Sequence, residues 1–433
     1  MASDGLYKLA FKYKKTKLWT KIYDDEVFAV KLTDGKTGYI SIMGKAGDYI
    51  AIGLYIGREG FNSYRIIAST YEPVSGSRLL YQEYLLRQDC LQCTFQDKDS
   101  LSCEEASEVK DYADRNNIAL EGEKTYPQFV KYKPGYCPWV IQTGQEEQYM
   151  AEALKAAVAL AGMLDKNEVP GIKRIEEHSE TVILLEPGKN GYHISSTKLP
   201  PPLPEEYQRP AMFNEINVAK LKNITKSGVW ECEIAQYPEP VRTKADEVPH
   251  FPMIFLAVES ATGFILPVSP AGYFDRQMGE LMDTAVEAFL MQNVCPKVIY
   301  VRDKRSYYFL EEVCKKIKTR LVIKPEIPSL GQAEEELYNY INGNEEKNMQ
   351  DIISVFDGLM ELSDEEIRNL PEVVKTQFEV LAKKDMLPEE LSKRLGSIWG
   401  FMGISTEGQK QDNVIQIKSY MTGGKTGKDP DNC

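Results

Sequence analysis

The stretch Phe251-Pro-Met-Ile-Phe-Leu-Ala-Val-Glu-Ser-Ala-Thr-Gly-Phe-Ile-Leu-Pro-Val268 decides how the chain folds. From Phe251 to Val258 it is apolar apart from Pro252, as expected of a strand covered on both faces. Ser260 to Gly263 supplies a tight turn, and Gly263 to Val268 reads as the next strand. Upstream, Val229 to Ala235 alternates Trp230, Cys232 and Ile234 with Glu231 and Glu233, the pattern of a half-buried strand. Downstream, Met278, Leu281, Met282, Ala285, Phe289 and Leu290 form a helical stripe. A strand at Lys297 to Arg302, a helix at Ser306 to Ile317, a strand at Arg320 to Lys324 and a helix at Gln332 to Ile341 follow. Right-handed crossovers then set Val298 to Val301 parallel to a neighbouring strand, in a mixed sheet with flanking helices.

Outward from this core, the N-terminal part reads as α+β. Leu6, Leu9, Ala10 and Tyr13 give a helical spacing within Ser3 to Ile22, with lysines on the polar side of a docking helix. Strands are expected at Val27 to Leu32, Gly38 to Met43 and Tyr49 to Tyr55, with Asp34-Gly35 as the first hairpin turn. Helices are expected at Arg58 to Ser69, Cys103 to Asn116 and Gln145 to Leu164, an extended segment at Cys90 to Phe95, and a hairpin around Gly188 to Gly191. The fold class is therefore α/β and α+β, multidomain. Residues 1–197 form an α+β domain, 198–211 a proline-rich linker, 212–345 the α/β domain, 346–403 a helical extension, and 404–433 a disordered tail. Within the linker, Lys198-x-x-Pro201-x-x-Pro204 has the spacing of a ligand for an aromatic-lined peptide groove, against the plainer role of a stiff spacer. In the extension, Ser363-Asp-Glu-Glu366 reads as a capping box, with Pro371 and Pro388 at first-turn positions.

Composition narrows the function classes. A chain of 433 residues suits two or three domains, and 42% apolar with 27% charged residues is a packed globular balance. A net charge of −13 repels nucleic acid and anionic membrane as a whole. No run approaches the roughly 20 apolar residues of a membrane span, because Tyr149 to Leu164 is interrupted by Glu152 and Lys155. The first residues lack the apolar core of a signal peptide, so a cytoplasmic location is expected. The eight cysteines are scattered and expected reduced. Cys90-Leu-Gln-Cys93, with Cys103 and Cys137, suggests zinc, but residues three apart on a strand face opposite ways and cannot share one ion. His178, His193 and His250 stand near no nucleophile motif, and Gly423-Gly-Lys-Thr-Gly-Lys428 has Ser419 where a phosphate loop has its first glycine.

Phe255 to Phe264, taken with Tyr300-Val-Arg-Asp303, resembles a ribonuclease-H-like domain over residues 228–342. That resemblance implies a carboxylate on the first strand and another at the end of the fourth, together holding two divalent ions for phosphoryl transfer. The matching residues are Glu259 and Asp303, with Mg²⁺ or Mn²⁺ as the only cofactor in question. The sequence departs from the pattern in having Glu where the family has Asp. Third-acid candidates are Glu280, Asp283 and Glu287, or Glu334, Glu335 and Glu336. If Val229 to Ala235 is the first strand instead, Glu231 or Glu233 becomes the relevant acid and Glu259 drops out. Arg302, Lys304 and Arg305 are candidate nucleic-acid contacts, although the basic run Lys297 to Lys324 is expected to pack on the acidic run Glu334 to Glu372.

Met43-Gly44, Tyr55-Ile-Gly-Arg-Glu-Gly60, Tyr126-Pro-Gln-Phe129 and Pro134-Gly-Tyr-Cys-Pro-Trp139 resemble a family of uncharacterised bacterial proteins known as domains of unknown function. The resemblance implies no activity, and Pro134 to Trp139 is expected to be a rigid packing turn. These readings together favour a non-enzymatic cytoplasmic binding or scaffold protein with an unknown protein partner, without a cofactor and away from membranes. The alternatives are a divalent-metal nuclease and a nucleic-acid binder without catalysis.

Overall fold

The computed structural model describes residues 2–47, 49–69, 78–142, 144–175, 179–189, 191–204, 207, 209–211, 213–242, 247–266, 270, 278–342, 363–368 and 389–399. His178, Pro371, Pro388, the Gly423 to Lys428 motif and the 404–433 tail lie outside them.

Helix α1 (Asp4–Thr16) starts where the Ser3 hydroxyl accepts the Leu6 N–H. It stops short of the expected Ile22 because Lys17 turns left-handed at φ 50°. One 3₁₀ turn, Leu18–Thr20, then tucks Leu18 and Trp19 into the core. Strands β1 (Phe28–Lys31), β2 (Thr37–Met43), β3 (Ile50–Ile56), β4 (Cys90–Gln96), β5 (Tyr126–Tyr132) and β6 (Trp139–Val140) run as an antiparallel meander. β7 (Thr181–Gly188) lies parallel to β1 and carries its hairpin partner β8 (Gly191–Lys198), giving the sheet order β6-β5-β4-β3-β2-β1-β7-β8. The aromatic-proline cluster at Tyr126 is thus a strand. It tolerates Pro127 because β6 pairs only with Val130 and Lys131, leaving an open edge at the proline.

Alternation along the strands splits the side chains between two cores. One face, with Ile40, Ile52, Leu54, Cys93 and Phe95, packs against α1, α4 (Cys103–Arg115) and α5 (Gln145–Asp165). The other, with Tyr39, Tyr55 and Cys90, packs against Phe61 and Tyr64 of α2 (Gly57–Ser69). A short helix that the sequence reading missed, α3 (Arg78–Leu85), precedes β4.

The second sheet follows α6 (Glu215–Lys222), another missed helix, capped by the Asn214 side chain at the Ile216 and Asn217 N–H groups. β9 (Lys226–Gln236) and β10 (Met253–Glu259) are antiparallel. After α7 (Met278–Met291), β11 (Cys295–Val301) returns parallel to β9, and after α8 (Lys304–Ile317), β12 (Arg320–Ile323) lies parallel to β11. The order is β10-β9-β11-β12, so β9 is a central strand and the first of its sheet. The expected strand at Gly263 to Val268 reduces to one bridge between Ile265 and Val258, and 267–268 lie outside the described residues.

Trp230, Cys232 and Ile234 share a core with α6, α7 and α8. The sequence pattern put Glu231 and Glu233 on a solvated face, and the structure corrects this: they are 3% and 1% exposed. Helix α9 (Pro328–Asn342) begins on their side, where the Leu330 N–H donates to Glu231. It starts four residues before the expected Gln332 because Pro328 suits a first helical turn.

Residues 336–415 form a separate unit. In it, α10 (Asp364–Arg368) and α11 (Glu389–Trp399) are joined by an Arg394–Asp364 ion pair at 2.9 Å, with Ile367 and Leu395 fully buried.

Candidate functional site at the carboxyl end of β9

Glu259 and Asp303 are not brought together. Glu259 ends β10 opposite Trp230. Asp303 precedes α8, which meets β9 four residues further on, where the Ser306 hydroxyl accepts the Ile234 N–H. Four strand residues span roughly 13 Å. Each carboxylate serves its own backbone. Asp303 caps α8 by accepting the Ser306 N–H at 2.7 Å. Glu259 accepts the N–H groups of Ala261 and Thr262 and the Thr262 hydroxyl, at 3.0, 2.8 and 2.8 Å. The Thr262 hydroxyl, aided by these amides, holds the Glu259 carboxyl below its usual range.

The acids that converge come from β9 and α9. Glu233 is buried, and among the described residues neither of its carboxylate oxygens has a hydrogen-bond partner. Glu334 is fully buried in the middle of α9, not at its start. Between them lies Arg302, whose Nη2 donates to both Glu334 oxygens at 3.1 Å and whose Nη1 is 3.5 Å from Glu233 Oε2. Burial, and after it the Glu334 charge, push the Glu233 carboxyl well above the ordinary range, while Arg302 opposes the shift. Glu231 accepts the Leu330 N–H at 2.9 Å and the Ser260 hydroxyl at 3.3 Å.

A second arginine ties this strand end to α3. Arg305 donates through both Nη atoms to Glu83, and Nη2 also reaches the Ile234 carbonyl at 2.6 Å. Glu83 further accepts from Arg87 at 3.1 Å and from the Gln236 N–H at 3.3 Å. Burial raises the Glu83 carboxyl, but Arg305 and Arg87 outweigh it and hold the group below its ordinary value. Of the three candidate nucleic-acid contacts, Arg302 and Arg305 are thus committed to buried acids, and Lys304 is exposed. Arg302 with Glu334 also supplies one contact of the expected packing between the basic and acidic runs.

The two divalent ions implied by the ribonuclease-H-like resemblance do not fit these residues. A permanently charged guanidinium with five donors takes the place of a cation between Glu233 and Glu334. Asp303 is occupied as a cap and Glu231 as an acceptor. Among the described residues no three His, Cys, Asp or Glu side chains are grouped to hold a metal. Cys90 and Cys93 join opposite cores of the large sheet, and burial pushes both thiols up.

Sequence reasoning named Glu233 only as a conditional alternative and missed Glu83. A glutamate on a short helix reads as solvated until its partner, 222 residues away, is in place. The Pro134 to Trp139 turn does pack. Its Gly135 N–H donates to the Leu86 carbonyl, its Gly135 carbonyl accepts the Phe251 N–H at 2.8 Å, and its Cys137 N–H donates to Pro249 at 2.9 Å. That turn positions the lead-in to β10.

Two families of unknown function match this chain. Residues 4–183 match the model of a domain of unknown function (DUF7309), and residues 217–338 match that of another (DUF6930). No match was found among the curated proteins. Among solved structures, the catalytic core domain of BIV integrase is similar at 13% identity and a TM-score of 0.20, over 29% of this chain and 73% of that one. A simian T-cell lymphotropic virus intasome in complex with PP2A regulatory subunit B56 gamma is similar at 14% identity and a TM-score of 0.17, over 49% of this chain and 61% of that one. Among the described residues no helix is long and apolar enough to cross a membrane.

Proposed function

We propose that this chain is a non-enzymatic binding or scaffold protein of the bacterial cytoplasm, whose second domain is a ribonuclease-H-like fold without a working metal centre. One observation carries the reading: Arg302 lies between Glu233 and Glu334, at the strand end where the resemblance calls for a carboxylate-bound cation. A guanidinium there supplies a fixed positive charge where a metal would stand and leaves no open coordination position for a substrate phosphate. Among the described residues the cysteines are free, which supports a reducing compartment. With Arg302 and Arg305 committed to acids and a net charge of −13, a protein partner is favoured over nucleic acid.

The test is cleavage of single-stranded DNA, duplex DNA and an RNA–DNA hybrid by the full chain in millimolar Mn²⁺. The expected result is no cleavage above a metal-only control. Cleavage that disappears in both Asp303→Asn and Glu233→Gln would overturn the proposal.

A further inference from the structure

Four prolines fix the backbone of Leu199-Pro-Pro-Pro-Leu-Pro204. Each holds its own φ at about −65° and drives the residue before it into the extended region. These constraints favour polyproline II, which has three residues per turn and carbonyls that no internal hydrogen bond uses. Helix α2 takes those carbonyls. Arg65 Nη1 donates to Pro200 O at 2.6 Å, and Arg58 donates through Nε to Pro201 O at 3.2 Å and through Nη2 to Pro202 O at 3.0 Å. Asn62 Oδ1 accepts the Leu203 N–H at 3.0 Å.

Pinned on one side, the segment turns another side outward. A three-residue period puts Pro201 and Pro204 on one ridge, and Lys198, the last residue of β8, stands just before it; all three are exposed. Pro202 beside them is exposed too, whereas Pro200 and Leu203 are half-buried. We propose that this ridge is a docking surface for a domain that reads polyproline II: an aromatic-walled groove taking Pro201 and Pro202, with an acidic side chain beside Lys198. The proposal rests on the binding-protein reading above and names the class of partner. Lys198 supplies the charge that sets the partner's direction along the segment. The hydrogen bonds from α2 remove in advance the freedom that an untethered proline-rich peptide loses on binding.

The probe is an isotope-labelled SH3 domain that accepts Lys-x-x-Pro-x-x-Pro peptides, titrated with the full chain. Saturable shifts confined to its aromatic groove are expected. The Pro201→Ala/Pro204→Ala and Lys198→Glu variants should each weaken binding about tenfold or more, with an unchanged Tm. Arg58→Ala/Arg65→Ala, which leaves the ridge intact but unpinned, should weaken it several-fold. No saturable shift, binding indifferent to Pro201 and Pro204, or tighter binding by the arginine variant each overturns the proposal. Such a failure leaves the nuclease assay untouched, whereas metal-dependent cleavage defeats the binding-protein reading by itself.

Discussion

Asp303 illustrates how one carboxylate carries two readings that a pair of substitutions separates. As the cap of α8 it needs only an acceptor for the Ser306 N–H, and Asn supplies one as well as Asp does. Asp303→Asn should therefore leave stability within a few tenths of a kcal/mol and Asp303→Ala should cost about 1 kcal/mol, both read by denaturant unfolding. Glu233 behaves differently because its carboxyl is pushed up by burial and by Glu334. A group held above its unfolded value stabilises the fold below that value, and the gain is lost as pH rises toward the folded one. The isosteric Glu233→Gln cannot ionise, so it should outlast the wild type increasingly above pH 4.5. The gap should grow by up to about 1.4 kcal/mol per pH unit, as measured by unfolding at pH 5 and pH 8. A gap independent of pH would mean that Glu233 titrates as an ordinary glutamate.

At the scale of the element, α2 shows how closely a helix is set on its sheet. A Cβ added at Gly60 would lie 3.0 Å from the Tyr55 carbonyl carbon and 3.4 Å from the Asp89 carbonyl oxygen, both of them backbone. Backbone cannot rotate aside as a side chain can. Gly60→Ala should thus lift α2 and lower stability by about 1–3 kcal/mol, as overpacking does. Because Arg58, Asn62 and Arg65 ride on the same helix, faster hydrogen exchange at the Leu203 amide should accompany that loss. A fall in stability with unchanged exchange there would detach the proline segment from α2.

At the scale of the molecule, the Glu83–Arg305 ion pair links α3, which precedes β4 of the large sheet, to the helix that follows β11 of the second, with side chains only 4% and 14% exposed. Glu83→Gln leaves a buried guanidinium without its charged partner, which typically costs about 3–5 kcal/mol. The expected calorimetric outcome is a lower Tm, with the single transition of the two sheets separating into two. The sign with pH follows from the carboxyl held below its ordinary value: wild-type stability at this link is present above that value and fades as acid protonates Glu83. The variant should therefore differ from wild type at pH 7 and converge on it in acid.

Much of the fold was legible because its signals are local. The Trp230-x-Cys232-x-Ile234 alternation, the Met278 to Leu290 stripe and the Asp34-Gly35 turn each express a backbone period or a turn preference that neighbouring residues set unaided. The helices α3 and α6, eight residues each, escaped because so short a helix depends on tertiary packing more than on its own propensity. The candidate site was less legible. A carboxylate's sequence neighbours do not tell whether its partner is water, a metal or an arginine more than 30 residues away. Sequence alone determined that 199–204 can be neither helix nor central strand and that residues three apart on a strand, such as Cys90 and Cys93, point apart, since covalent geometry dictates both. Only the tertiary structure made β9 the first strand of its sheet, buried Glu233 and Glu334 around Arg302, and left Glu259 capping a loop at the far end. Strand pairing and charge burial are set by contacts across the chain, and those exist only once it has folded.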